Sequence, residues 1–381
     1  MNLFGLRRRW FAGLLIGAMF SPLSASAEEG VTETSLLLGQ TVGVTGQIAG
    51  PVREMMAGAN AYFAKINAAG GIYGRKIDVR TLDDQFDPAL TAKNADKLIR
   101  QEHVFALFQS RGTPHTQMLL PLLAEHKIPL IAPSTGAAVF HRPVNHYVFN
   151  VRATYQAEVR KAVEQFSTIG LKEIAILHVD DSFGQDGLEG FRAAMEMKGL
   201  KPSAIVSYDR TKPDVRAAVQ AVQASQAKAL ILVASAGPAA ELIKGLRAAG
   251  SGVQIMTLSN NASQSFIDSL GKDAAGIMVS QIMPAPHLLS TVLGQEFKQL
   301  AKEYKVPESY AAMEGFVSAK VMVEGLRRAG KNLTREGLIR ALEGVKRHDF
   351  GGLMVDYSEK DHSGSEFVEL TLIGRDKHFI R

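Results

Sequence analysis

Two short polar clusters hold the side chains of this chain best suited to gripping a small anion. Ser110-Arg111-Gly112-Thr113 follows the apolar run Phe105 to Phe108, and Ser134-Thr135-Gly136 follows Ile128 to Ala132. Hydroxyls, a guanidinium and glycine-exposed amides are donors, so the chemistry on offer is recognition of a carboxylate. The planar fork of Arg111 matches the two oxygens of such a group, although a loop arginine paired with a neighbouring acid reads the same way. Ser134 to Gly136 also fits a helix N-cap, whose free amides attract anions in either case. Bond-making chemistry lacks its parts. Ser110 and His115 stand close in sequence, but there is no G-x-S-x-G elbow and no cysteine. His141 with His146, or His178 with Asp180, has no third ligand nearby, so no metal is expected. Gly43-Val-Thr-Gly46-Gln-Ile-Ala-Gly50 is not G-x-G-x-x-G, which leaves Asp83-Asp84 as turn and cap residues and no cofactor expected.

The elements that must position the two clusters follow from periodicity. Between them, Met118, Leu119, Leu122 and Leu123 recur as one helical face, predicting a helix over Thr116 to Glu125. A strand-helix-strand unit of that length crosses over right-handed, so both clusters emerge side by side at the carboxyl edge of one parallel sheet. That edge is where open α/β sheets bind ligands. Upstream, strands at Leu36 to Thr41 and Ile77 to Leu82 alternate with helices at Val52 to Ala68 and Ala89 to Glu102. A second run of alternation starts with a helix at Gln156 to Thr168 and a strand at Glu173 to Val179, continues with a helix at Gly187 to Lys198, and ends with a strand at Gln254 to Leu258. Helices at Val292 to Tyr304, Met313 to Ala329 and Thr334 to Leu342 follow, then β-like runs at Leu353 to Tyr357 and Phe367 to Ile373. The fold class is therefore α/β, with two doubly wound parallel-sheet lobes. Chain crossings near Asn150, Met283 and Gly351 make a hinge and leave a cleft with ligand groups on both lips. The expected limits are 28–151 with 285–352 for the first lobe, and 152–284 with 353–381 for the second.

Composition narrows the function. The 381 residues are 46% apolar, enough for two cores. Arg7-Arg8-Arg9, the apolar run Trp10 to Phe20 and Ala25-Ser-Ala27 make residues 1–27 a secretory signal peptide with a small-residue cleavage site. The apolar run falls well short of the roughly 20 residues a membrane span needs. Arg8-Arg9-Trp-Phe11 leaves twin-arginine export open beside ordinary Sec export. Removing the leader takes three arginines and lowers the net charge from +5 to +2, which weakens any nucleic-acid reading. Without a cysteine there is no disulfide, no thiolate metal site and no lipid anchor, so a free periplasmic protein is expected.

With its motifs taken in order, the chain resembles the type I periplasmic solute-binding proteins of ABC transporters, in the branched-chain amino-acid (Leu/Ile/Val) branch. The resemblance rests on Asn67-Ala-Ala-Gly-Gly-Ile-Tyr-Gly74, Asp83-Asp-Gln-Phe-Asp-Pro88, Ala132-Pro-Ser-Thr135 and Glu314-Gly-Phe-Val-Ser-Ala-Lys320, and covers nearly the whole mature chain. It implies two α/β lobes joined by three strands that close like a Venus flytrap, and a partner permease in the inner membrane. It also implies ligand contacts at Thr45 to Ile48 (Thr45 and Gln47), Ser110, Arg111, Thr113, Ser134, Thr135 and Gly136 in the first lobe. In the second lobe the implied contacts are Tyr155, Asp181, Phe183, Ser235 and Asn260. A hydrophobic or branched-chain amino acid is the expected ligand. Where the family places an acid for the α-ammonium, this chain has the neutral Ser259-Asn260-Asn261. That departure keeps an aromatic or aliphatic acid without an amine as the alternative, with a sensor role beside it; Asp181 is the nearest replacement acid.

Overall fold

The computed structural model describes residue 1 and residues 28–380, so the expected leader, Met1 apart, lies outside the described residues. The chain begins with β1 (Ser35–Val42), returns through α1 (Ala49–Ala68) and lays β2 (Lys76–Asp83) parallel to β1 over its full length. Then come α2 (Pro88–Arg100), β3 (Ala106–Phe108), α3 (Thr113–His126), β4 (Leu130–Ile131) and β5 (Val148–Phe149). The five strands form one parallel sheet in the order β2-β1-β3-β4-β5. Helices on its faces explain why β3 and β4 are short, wholly apolar and wholly buried. α2 starts where Asp87 accepts the Ala89 amide at 2.8 Å and Pro88 pre-sets the first turn. α3 starts at Thr113, three residues earlier than expected, because Gly112 turns the chain at a φ of 95° and Pro114 again fits a first turn.

The second sheet repeats the plan. α4 (Tyr155–Thr168), β6 (Ile174–Val179), α5 (Ser182–Met197), β7 (Ala204–Tyr208), α6 (Val215–Ala224), β8 (Ala229–Val233), α7 (Ala236–Ala248), β9 (Gln254–Thr257), α8 (Gln264–Leu270) and β10 (Met278–Gln281) follow in order. α5 begins at Ser182, not at Gly187. The Asp181 side chain caps it, and the glycines that read as breakers are close-contact positions: a Cβ on Gly184 would lie 1.6 Å from the Val179 carbonyl oxygen. α8 and β10 were not anticipated. β10 carries Ser280 and Gln281 into the interior, where Ser280 donates to Glu158 and Gln281 donates to Thr371 Oγ1 at 2.8 Å, so its polar half hides the strand pattern.

The last third of the chain serves both lobes. α9 (Val292–Tyr304), α10 (Tyr310–Ala329) and α11 (Arg335–Glu343) come first, and α10 packs along α1 with backbone against backbone. A Cβ on Gly58 would fall 1.9 Å from the Ala312 oxygen, and one on Gly315 1.8 Å from the Met55 oxygen. β11 (His348–Asp349), β12 (Met354–Ser358) and β13 (Asp361–Gly364) form a small antiparallel sheet of their own. It is tied to the end of β5: Asn150 N donates to the His362 carbonyl at 2.8 Å, and the Phe149 and His362 rings stack at 3.8 Å. The run expected at Leu353 to Tyr357 thus pairs within this small sheet. Only β14 (Glu369–Ile373), with β15 (Phe379–Ile380) beyond it, joins the second lobe, completing the order β15-β14-β10-β9-β8-β6-β7. No helix among the described residues is long and apolar enough to cross a membrane.

Candidate ligand-binding cleft

The two donor clusters stand next to each other because β3 and β4 are parallel neighbours that bend together. Gln109 (φ 51°) and Ala132 (φ 57°) both step through the left-handed region, uncommon for residues with a side chain. Pairing then resumes between Arg111 and Ser134, with Ser134 N donating to the Ser110 carbonyl at 2.7 Å. The paired kink delivers Arg111 to the sheet's carboxyl edge. Its Nη1 donates to Ser134 Oγ at 3.0 Å, and its Nη2 crosses the cleft to the Asn260 main-chain carbonyl at 2.9 Å. Burial pulls the Arg111 pKa below its ordinary value, and the Glu314 carboxylate, 4.0 Å away, opposes that.

Several expected contacts are used inside the first lobe. Ser110 Oγ bonds to Thr116 Oγ1 at 2.8 Å, and Thr135 Oγ1 bonds to Thr113 Oγ1 at 2.9 Å. Gly136 presses on the hinge, its carbonyl accepting Tyr155 N at 2.8 Å. Thr45 donates to Asp83 at 2.6 Å on the surface, and Gln47 meets Gly237 of the second lobe.

The second lip is built at the ends of β6, β7, β8 and β9. Asp181 accepts the amides of Phe183 at 2.9 Å and Gly184 at 3.2 Å, and it is ion-paired with Arg210. Arg210 stands two residues past the end of β7, donates to Ser235 Oγ at 2.9 Å, and lies 5.1 Å from the centre of the Phe86 ring of the first lobe. Phe86 in turn stacks on His115 at 4.1 Å, and burial drops the His115 pKa to about 4. At the hinge, the Arg152 guanidinium sits 4.5 Å from the centre of the Tyr155 ring and pairs with Glu158. Burial opposes the Arg152 charge, but Tyr155, Glu158 and Glu314 outweigh it and hold its pKa above the ordinary value. Ser259 is consumed there too, giving Glu158 its amide at 2.9 Å and its hydroxyl at 3.0 Å.

Between the lips lies a cavity of about 30 Å³, room for a water or two. Of the expected residues, Arg111, Thr113, Ser134, Tyr155, Phe183, Ser235 and Asn260 line it; Thr45, Gln47, Ser110, Thr135, Gly136 and Asp181 do not. Ile48, the end of the implied Thr45 to Ile48 stretch, is in the lining as well; the sequence reading missed Arg210 and passed over Phe86 as a contact, although both are in the lining. The position of Arg210 just past a parallel strand was the available signal. The charged groups of the lining are Arg111 and Arg210, with no carboxylate. The lobes also touch outside the cavity: Ser182 Oγ donates to Gln117 Oε1 at 2.7 Å, so the cleft is closed. A wider groove of about 420 Å³ passes His141, Arg142 and Arg160 at the hinge and shares no residue with this cavity.

The family model described as periplasmic binding protein matches residues 37–372. The crystal structure of a substrate-binding periplasmic protein from Ralstonia solanacearum is similar at a TM-score of 0.85 and 30% identity, covering 91% of this chain and 99% of that one. That of a possible leucine/isoleucine/valine-binding protein from Rhodopirellula baltica SH 1 gives a TM-score of 0.86 at 26% identity, over 94% and 98% of the two chains. A Leu/Ile/Val-binding protein homolog 3 from Brucella melitensis is 23% identical over 332 residues, 84% of this chain and 87% of the relative.

Proposed function

The chain belongs to the periplasmic binding protein family, and from that premise we propose that its ligand is a small organic acid without an α-ammonium group, captured in the periplasm after residues 1–27 are removed. The protein is a transport binding protein, not an enzyme, and it delivers a small ligand to an ABC permease.

One observation carries the choice of ligand: the cavity presents two guanidinium groups and no carboxylate. The cleft must part to admit a ligand, and an α-ammonium then held against this lining has no counter-charge, which is costly for a buried charge. Asp181, the acid nearest the role, is already committed to Arg210 and to the start of α5. A carboxylate meets donors instead, from Arg111, Thr113 and Ser134, while Ile48, Phe86, Tyr155 and Phe183 supply an apolar and largely aromatic wall for the rest of the molecule. The relatives named for Leu/Ile/Val make an amino acid the natural comparison.

Isothermal titration of the mature protein with matched pairs tests the reading: 4-methylpentanoate against leucine, and 3-phenylpropanoate against phenylalanine. The acids bind and the amino acids do not. Binding of the amino acids with neglect of the acids overturns it. Mass spectrometry of exported protein that still begins at Met1 would reject the removal of the leader.

A further inference from the structure

Asn260 lines the cavity and holds an acceptor that no described residue satisfies. Its Nδ2 donates to the Ala234 carbonyl at 2.9 Å and towards Asn261 Oδ1 at 3.3 Å, so both amide hydrogens are spent. Asn261 Nδ2 donates to the same Ala234 carbonyl at 3.1 Å and to Thr257 Oγ1 at 2.8 Å, and Thr257 Oγ1 donates to the Leu232 carbonyl at 3.0 Å. Every link in this chain has its direction fixed by a backbone carbonyl at the far end. Turning the Asn260 amide over would set its oxygen against the Ala234 carbonyl, so the orientation is determined by the network. Asn260 Oδ1 is left buried and without a donor, in the lip that faces Arg111. A buried acceptor left unpaired costs free energy, which an occupant with a hydrogen to give would recover.

We infer that the ligand carries a hydroxyl group that donates to Asn260 Oδ1, making it a hydroxy acid and Asn260 a specificity-determining contact. This rests on the reading of the ligand as an acid. A neutral donor is required because a cationic one would sit in a lining whose charged groups are Arg111 and Arg210 alone. The two ends of the ligand are then read by opposite chemistries. The first lobe and Arg111 present donors to the carboxylate, and the second lobe presents an acceptor to the hydroxyl. A site that hydrogen-bonds a hydroxyl rejects the analogue lacking it far more strongly than an apolar pocket rejects a missing methylene.

The test is titration of the mature protein with acids that differ only in a hydroxyl. The probes are benzoate against its 2-, 3- and 4-hydroxy forms, and 4-methylpentanoate against 2-hydroxy-4-methylpentanoate, with leucine as the amine control. At least one hydroxylated member binds tenfold or more tighter than its parent. Asn260→Leu closes that gap to within twofold, read as the ratio of the two affinities measured in the same variant. Asn260→Ala, which removes Oδ1 without adding bulk, repeats the result if the leucine variant folds poorly. Acids that bind equally with and without the hydroxyl, or a gap that survives both variants, overturn the inference and leave the acid reading standing. Leucine binding in place of every acid overturns the acid reading itself, and with it the role of Asn260.

Discussion

Glu54, on α1 of the first lobe, accepts the backbone amide of Ser265, on α8 of the second, at 2.7 Å. The same carboxylate takes the Gln264 amide at 3.0 Å, so a buried charge from one lobe sits on the first turn of a helix in the other. The contact bridges the two lobes across the closed cleft. Hydrogen bonds to charged groups are worth about 1.5–3 kcal/mol. Glu54→Ala therefore shifts the lobes towards the open form and weakens ligand binding by about 10- to 150-fold. Small-angle scattering of the free protein shows a larger radius of gyration for the variant. An affinity within twofold of wild type would mean that this contact does not set closure.

Arg111 joins Ser134 to the Asn260 carbonyl and is the carboxylate partner in the proposed site. Arg111→Ala weakens binding of the acid by roughly 10- to 150-fold in titration. Arg111→Lys does not restore it, because one ammonium cannot reproduce the two-pronged geometry. Full recovery by lysine would show that the charge alone matters.

Asp181 gives a test of sign. If it held an α-ammonium, Asp181→Asn would weaken binding. In the structure it neutralises Arg210, and asparagine can still cap α5, so the variant leaves a freer cation at the cavity wall. The acid then binds tighter, by about fivefold for an interaction of about 1 kcal/mol. A fall in acid affinity with a fold intact by circular dichroism contradicts the assignment.

Buried acids and bases pull stability in opposite directions across one pH window. Burial raises Asp84 and Asp186 to about 6 from an ordinary 3.8, so what they contribute is fully present below about pH 4 and is lost as pH rises through 6. Burial lowers His115 and His141 to about 4 from 6.5, so their penalty is fully present below about pH 4 and disappears as pH rises to 6.5. Each is worth on the order of 3 kcal/mol over the window. His115→Phe, which keeps an aromatic ring against Phe86, removes one rising contribution. Its stability relative to wild type, from urea unfolding, falls by about 3 kcal/mol between pH 4 and 6.5. A difference independent of pH refutes a neutral buried His115.

The alternation of strands and helices, and the placing of Ser110 to Thr113 beside Ser134 to Gly136, could be read from the chain because they depend on local periodicity and on the handedness of one crossover. Arg111 and Ser134 were reachable for the same reason, each following a parallel strand, whereas Asn260 came only through the family resemblance. What the hydroxyls do was not. Ser110 and Thr135 look like ligand donors in a one-dimensional reading, and only packing shows that they bond to Thr116 and Thr113. Arg210 escaped notice because its partners, Asp181, Ser235 and Phe86, come from three distant segments. β10 escaped because its buried Ser280 and Gln281 are satisfied by Glu158 and Thr371, which no nearby residue announces.

The crossing of α1 and α10 leaves no room for a methyl group at Gly58 or Gly315. Gly58→Ala forces the helices apart and costs roughly 1–3 kcal/mol, as overpacking in a tight interior does, which a lowered urea midpoint reports. An unchanged midpoint would show that the helices can separate freely.

That crossing also sets the order in which the protein can be made. A nascent chain emitted from the amino end delivers all five strands of the first sheet long before Tyr310–Ala329, the helix that packs along α1, exists. Until then the side of α1 that carries Met55 and Gly58 lacks its partner helix, although Phe63 has Phe108 of β3 to pack on. The second sheet is contiguous in sequence from β6 to β10 and lacks only β14 and β15, which come at the very end of the chain.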